Sequence, residues 1–346
     1  MSFHRYEADQ PQSLERFSNA DWKPIILSMK KNRPVYTGRD LALVIPTKDR
    51  PEKIHTLLES TKRQSIRCGR IIVVDGGMSV KDIVLSFGDS LPVEYFACNP
   101  PGQIRQRNVG IAQLDNNTPL VGFLDDDVVL EKGALENMIA FWNRADVHTA
   151  GVGFNITNIN SPSHSLLRTL MLLGTPVPGK ILLSGVNMNY FNIPDDIRTQ
   201  FLGGGYTIWK RSILDEFPQE NLNTRWAWGE DVRYSYPIGK KYPLYVCASA
   251  KVHHEHVYDQ APPDFVHRYQ GRKGALAIFY FVRSNPELSR LACLWMLTTS
   301  AIANFVYGIV TLNPSLLKFA LGRAEGILIC LKGMLGFTDI RKEMED

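Results

Sequence analysis

Apolar positions along this chain follow two alternating rhythms. Leu41-Ala42-Leu43-Val44-Ile45-Pro46 is a continuous apolar run closed by proline, which reads as a buried strand. Thr47-Lys48-Asp49-Arg50-Pro51 follows as a polar turn, with Pro51 suited to the first position of a helix. Ile54, Leu57, Leu58 and Thr61 then share one face at helical spacing. The alternation continues with strand 70–75, helix 80–87 with Ser79 as its N-cap, strand 93–98, helix 102–111 and strand 120–124. Ala134, Met138 and Phe141 mark a further helix. Four strand–helix alternations in the first 145 residues predict an α/β fold, a mostly parallel sheet with helices on both faces. No GxGxxG follows the first strand, which argues against a dinucleotide site.

The pattern changes in the second half. Residues 151–157 and 242–248 read as strands. Between them, 158–200 is rich in Asn, Ser, Pro and Gly, with one apolar interruption at 166–173. Connections this long are functional or flexible as a rule. Near the end, 291–312 carries no charge and is long enough to span a bilayer, and 327–337 is a shorter apolar run broken by Lys332. Ahead of them Arg268, Arg272, Lys273 and Arg283 interleave with Tyr269, Phe279, Tyr280 and Phe281, a mixture that an anionic leaflet attracts. Two readings stand: a membrane-associated region, spanning or in plane, and a buried helical hairpin covering the rest of the protein.

Composition narrows the classes. With 44% apolar and 21% charged residues in 346, the chain is globular and large enough for a substantial core. A net charge of +4 gives no reason to expect a nucleic-acid partner. Cys68, Cys98, Cys247, Cys293 and Cys330 are scattered, odd in number and without CxxC spacing, which fits a reducing compartment. Residues 1–7 are polar and lack a signal-peptide core, so the active part is expected on the cytoplasmic side. The rest of 1–40 is weakly patterned, with a short strand or buried plug expected at 22–28.

Candidate chemistry gathers at four places. Strand 120–124 runs into Asp125-Asp126-Asp127, at the end of the sheet where open α/β folds bind ligands. Three adjacent carboxylates repel one another unless a cation sits among them, and such oxygen clusters suit Mg²⁺ or Mn²⁺; the other reading is a solvated acidic turn. Gly203-Gly204-Gly205 allows a close backbone approach to a ligand, or is a flexible strand-edge turn. Trp226-Ala227-Trp228-Gly229-Glu230-Asp231 joins rings that can pack on a sugar to acids suited to general-base work, or is the start of a surface helix. His253, His254 and His256 are too few for a zinc site by themselves; one of them completing the shell at Asp127 is the economical alternative to a surface cluster.

Taken in order, these motifs resemble family 2 glycosyltransferases with the GT-A fold, particularly bacterial enzymes of polysaccharide and O-antigen assembly such as rhamnosyltransferase-like members. The likeness covers roughly residues 40–256 and rests on six stretches. They are Val44 to Arg50, Val73-Val74-Asp75-Gly76, Arg105 to Gly110, Phe123 to Asp127, the triple glycine, and Gly229-Glu230-Asp231. Asp75 is followed by Gly-Gly where serine is commoner, and 158–200 has no clear counterpart.

The resemblance implies a catalytic domain over 41–260 (nucleotide-sugar half 41–130, acceptor half 131–260); outside it, 1–40 is expected as an N-terminal extension and, from its apolar runs, 261–346 as a helical membrane-associated region. The resemblance also implies that Pro46, Thr47, Asp49, Arg50 and Asp75 contact the donor nucleotide, with Arg105, Asn108, Asp125 and Asp126 also on the donor. Asp127 and His254 would hold Mg²⁺ or Mn²⁺, and Asp231 would be the general base beside Glu230. Gly204, Gly205, Trp226 and Trp228 would meet the acceptor. The implied reaction is an inverting transfer from a UDP-, dTDP- or GDP-sugar to a saccharide or lipid-linked saccharide at the cytoplasmic face of the cell membrane. A nucleotidyltransferase acting on a sugar phosphate and a non-catalytic membrane-bound sugar-nucleotide sensor are the rival classes. The first usually carries a glycine-rich phosphate loop after its first strand, and that is missing here.

Overall fold

The computed structural model describes residues 34–77, 80–115, 117–160, 164–220, 229–255 and 264–345. The expected alternation is present. β1 (Leu41–Thr47), α1 (Pro51–Lys62), β2 (Arg70–Asp75), α2 (Lys81–Ser86), β3 (Val93–Ala97), α3 (Gln103–Ala112) and β4 (Leu120–Leu124) come first. They are followed by β5 (Val128–Leu130), α4 (Ala134–Arg144), β6 (Gly151–Ile156), α5 (Leu166–Leu170), β7 (Ile197–Thr199), β8 (Tyr206–Lys210) and α6 (Arg211–Glu216). Then come α7 (Glu230–Lys241), β9 (Leu244–His254), α8 (Asp264–Arg283), α9 (Arg290–Val310), α10 (Pro314–Met334) and α11 (Ile340–Met344). Pro51 opens α1 as expected. The expected N-cap Ser79, the 22–28 element and most of the 1–40 extension lie outside the described residues.

The described strands form one sheet in the order β3-β2-β1-β4-β8-β6-β9-β5, with β7 on β9. β3, β2, β1 and β4 are mutually parallel, as are β6 and β9. β1 and β2 are buried almost throughout, which is why they read as unbroken apolar runs rather than as alternation. β8 enters antiparallel beside β4, pairing Tyr206 with Leu124. The segment just before β8, holding the triple glycine, is thereby brought to the carboxyl end of β4. β5 and β9 are also antiparallel, with Val128 opposite His254. The reading of β9 as 242–248 was too short: the strand continues to His254, and that extension carries the histidine to the triple Asp.

The later part of the 158–200 stretch is pinned to the body. Asn155 donates to Ile193 O at 2.9 Å, Asp196 accepts from Ala248 N at 2.8 Å, and Arg144 pairs with Asp196 at 2.6 Å. The apolar interruption in 158–200 becomes α5, whose Leu166, Leu167 and Leu170 are exposed. Trp295 of α9 donates its indole N–H to Leu170 O at 3.0 Å, so α5 lies beside α9.

Among the described residues the apolar core falls into two clusters, one of which continues from the sheet into α8–α11. α8 and α10 pack backbone against backbone. A Cβ on Gly322 would meet Arg268 O at 1.8 Å, and one on Gly326 would meet Arg272 O at 2.8 Å. α9 is different. It alone among the described helices is long and apolar enough to cross a membrane, and only 28% of its most apolar stretch is buried. Leu291, Trp295, Ile302, Val306 and Val310 are all exposed along it.

Candidate active site

The site forms where β1, β2 and β4 end. In the β1–β2 register Pro46 lies opposite Val74 and Thr47 opposite Asp75. The Asp75 carboxylate is fully buried and accepts from Gly77 N at 2.7 Å and from Tyr95 Oη at 3.2 Å. Gln106 of α3 ties the two strand ends together, donating to Thr47 O and Val74 O, both at 2.7 Å. Asp49 holds a left-handed backbone (φ 54°), and its carboxylate covers Gly77 so closely that a Cβ there would lie 2.1 Å from Oδ1.

The three consecutive acids have different surroundings. Asp126 turns inward, accepting from Thr47 Oγ1 at 2.7 Å and Arg50 Nη1 at 2.9 Å. Burial pushes its pKa up, and the Thr47 hydrogen bond and the Arg50 charge oppose that. In this arrangement Asp126 fixes the turn to Thr47 and Arg50. Asp125 and Asp127 flank it on the other side. Asp127 lies 3.3 Å from His254 Nε2 and 3.7 Å from Arg50 Nη1, and its main-chain oxygen accepts from Glu255 N at 2.7 Å. The hydrogen bond to Asp127 raises the His254 pKa. One ligand atom from each of Asp125, Asp127 and His254 lies within 4.8 Å of the others. Two carboxylate oxygens and an imidazole nitrogen that close are a donor set suited to Mn²⁺ or Mg²⁺.

Arg107, which the sequence offers only as one member of the Arg105 to Gly110 motif, is central. Its side chain is 1% exposed, lies across the Phe123 ring at 5.5 Å, and donates from Nη2 to Asp125 Oδ1 at 3.0 Å. Its Nη1 lies 3.8 Å from Asp231 Oδ1. A single buried cation therefore links the acid cluster at β4 to the acid at the start of α7. Gln103 Nε2 donates to the same Asp125 oxygen at 2.9 Å. Burial among protein atoms pushes the Asp231 pKa up, Arg107 pulls it down, and Asp125 adds to the rise. The side chain still keeps 45% of its surface open, so solvent moderates the effect of burial.

The triple glycine is explained by these acids. A Cβ on Gly205 would sit 1.9 Å from Asp125 Oδ2, and one on Gly204 would sit 2.0 Å from Asp231 Oδ1. Gly203 is equally crowded by the Tyr206 hydroxyl, while its N–H donates to Tyr190 Oη at 2.7 Å. The close approach expected at this motif is made to the chain's own side chains. Burial raises the pKa of both phenols, so Tyr190 and Tyr206 stay neutral at pH 7.

Other expected site residues have partners of their own. Arg105 donates to Pro100 O at 3.1 Å, and Asn108 donates to Gln219 O at 3.1 Å. Glu230 is buried with Arg233 Nη2 at 3.9 Å. Of the histidines, His254 meets Asp127 while His253 pairs with Glu131 at 3.0 Å; His256 lies outside the described residues, as do Trp226 and Trp228.

Comparison with known proteins agrees with this fold. No curated protein matches the chain. Among solved structures, a mannosyltransferase from Pyrobaculum calidifontis, in complex with GDP-Man and Mn²⁺, superposes with a TM-score of 0.54 at 12% identity. The match covers 92% of each chain. TarS from S. aureus superposes with a TM-score of 0.52 at 14% identity, covering 88% of this chain; the chain spans about half the length of TarS, 50% of it. At these identities the likeness is one of fold. The glycosyl transferase family 2 model matches residues 42–217, which contain β1 through α6, the triple Asp and the triple glycine. With more than half of its residues inside that match, the chain belongs to glycosyl transferase family 2.

Proposed function

We propose that the protein is a metal-dependent, inverting glycosyltransferase. It takes a sugar from a UDP-, dTDP- or GDP-sugar and transfers it to a hydroxyl of a lipid-linked saccharide during cell-surface polysaccharide synthesis. The observation that carries this reading is the convergence of Asp125, Asp127 and His254 within 4.8 Å, with Asp231 joined to the cluster through Arg107. The Mn²⁺ and GDP-Man bound by the structurally similar mannosyltransferase support it.

Asp127, His254 and Asp125 would hold the divalent cation, which when bound neutralises charge on the donor diphosphate. Asp75, at the buried end of β2, and Thr47 would bound the nucleoside side. Asp231 accepts the proton of the acceptor hydroxyl as that oxygen bonds to the anomeric carbon. The carbon's bond to the phosphate oxygen breaks on the opposite face, and the nucleoside diphosphate leaves with the electron pair. Burial suits Asp231 to this role by making it a stronger base than an ordinary aspartate. Arg107 keeps it ionised and aligned.

The exposed apolar residues of α9, with α5 alongside, favour attachment to the cytoplasmic face of the cell membrane, where a lipid-linked acceptor would be met. The test is nucleotide release from a panel of nucleotide sugars, with Mn²⁺ or Mg²⁺ and a membrane lipid extract as acceptor. One donor should be consumed only when metal and extract are both present. Asp231→Asn should lower turnover by about 10²–10⁴-fold, the range for losing a general base, with donor affinity retained. Turnover near wild type in that variant would remove Asp231 as the base.

A further inference from the structure

A cleft of about 400 Å³ lies between α7, α8 and the segment after α6. Phe217, Tyr280 and Phe281 give it ring faces, and Gln219, Glu220 and Arg233 give it polar ones. Three carboxylates border it, each beside its own cation. Glu216 accepts from Lys241 Nζ at 3.2 Å, Glu220 accepts from Arg341 Nη2 at 2.5 Å, and Glu230 lies 3.9 Å from Arg233 Nη2. Only one of these cations, Arg233, lines the cleft with the three carboxylates, while Lys241 and Arg341 neutralise Glu216 and Glu220 from outside the lining, so an entering anion would meet no surplus of cations.

The inner end of the cleft opens towards Asp231. Ile104, Gln219, Glu230 and Tyr234 line both the cleft and a void of about 10 Å³, which is also walled by Arg107, Gly204 and Asp231. That volume has room for roughly one water-sized group. Gln219 is only 9% exposed, and its side-chain oxygen makes no hydrogen bond; neither does the buried Tyr234 hydroxyl. The two groups influence each other without reaching ordinary hydrogen-bond geometry. Buried polar atoms left in this way are uncommon in folded proteins, and a hydroxyl placed between these two would satisfy both.

We propose that this cleft is the acceptor subsite and that it takes an uncharged saccharide. Ring faces such as Tyr280 carry the apolar side of a sugar. One hydroxyl occupies the inner void, between the Gln219–Tyr234 pair and Asp231. Any carrier phosphate is left outside the cleft. The proposal rests on the glycosyltransferase reading and assigns the chemistry of its second substrate.

The test is calorimetry and saturation-transfer NMR on the full chain, with octyl hexopyranosides and their 6-phosphates as probes. A neutral glycoside is expected to bind, with its 6-phosphate at least tenfold weaker. Ser284→Trp fills the mouth and Tyr280→Ala removes a ring face; each should weaken the neutral glycoside at least tenfold. UDP and GDP binding with Mn²⁺ should stay within twofold in both variants, which also verifies folding. Unchanged glycoside binding in both variants, tighter binding of the 6-phosphate, or no binding of any neutral glycoside would overturn the proposal. If glycosides bind as expected while wild-type protein consumes no donor, the transferase reading fails and the cleft stands as a saccharide site.

Discussion

Gly205→Ala would place a methyl group 1.9 Å from Asp125 Oδ2 and 2.0 Å from Cγ. Ordinary contact begins at 3.4 Å, so the carboxylate must withdraw by about 1.5 Å. A free side chain could swing away cheaply. This one is held by Gln103 at 2.9 Å and Arg107 at 3.0 Å, and the Asp125 N–H is tied to Gly205 O at 2.8 Å. Hydrogen bonds to charged groups are worth about 1.5–3 kcal/mol each, so losing one shifts the site equilibrium by at least tenfold. We therefore expect at least a tenfold rise in the apparent Kd for Mn²⁺, read by titrating metal into the nucleotide-release assay. Gly204→Ala is the control, because its methyl would meet Asp231 Oδ1 at 2.0 Å and Arg107 Nη1 at 2.8 Å instead. It should lower kcat, with a smaller rise in the Kd for Mn²⁺ than Gly205→Ala gives, because its closest clash is with Asp231 and it reaches Asp125 only through Arg107. Wild-type Mn²⁺ affinity in a folded Gly205→Ala protein would refute the packing argument.

Arg107→Met should move the acid limb of the kcat/KM–pH profile. Burial raises the Asp231 pKa and the Arg107 charge lowers it, so activity is lost as pH falls through a pKa above the ordinary aspartate value of about 3.9. Without the arginine that limb moves to still higher pH; a limb that stays in place would mean that Arg107 does not act on the base. Ile302→Asp combined with Val306→Asp puts two charges on the exposed side of α9. Each costs about 2.5–3.5 kcal/mol at the centre of a bilayer, so cosedimentation with anionic phospholipid vesicles should fall at least tenfold with Tm unchanged. Equal cosedimentation would remove α9 from the membrane contact.

The strand–helix alternation of the first half was legible because fully buried strands leave unbroken apolar runs. The triple Asp was legible as a cluster, and its need for a neighbouring cation was too. The sequence could not say that the neighbouring cations are Arg50 and Arg107. α3 hides its phase because it turns polar side chains, Gln106 and Arg107, towards the sheet, leaving no apolar stripe to tell Arg107 from Arg105. Nothing in three identical residues says that Asp126 is the one that turns inward to Thr47. One missed signal was readable. Val252 is buried and His254 shares its side of a strand, so two-residue alternation, once β9 is carried past Ala248, selects His254 over His253.

The glycine seam between α8 and α10 has a consequence for how the sequence can drift. Gly322 and Gly326 face backbone at 1.8 and 2.8 Å, and Gly271 faces Phe319 O at 2.1 Å, so even alanine would force the helices apart. The outward Leu321 and Leu328 touch little and can exchange freely among apolar residues. Tolerance to mutation on α10 is therefore split lengthwise, one side frozen and the other permissive. Because the frozen side sets the register of α10 on α8, three residues without side chains fix the direction in which the exposed leucines point.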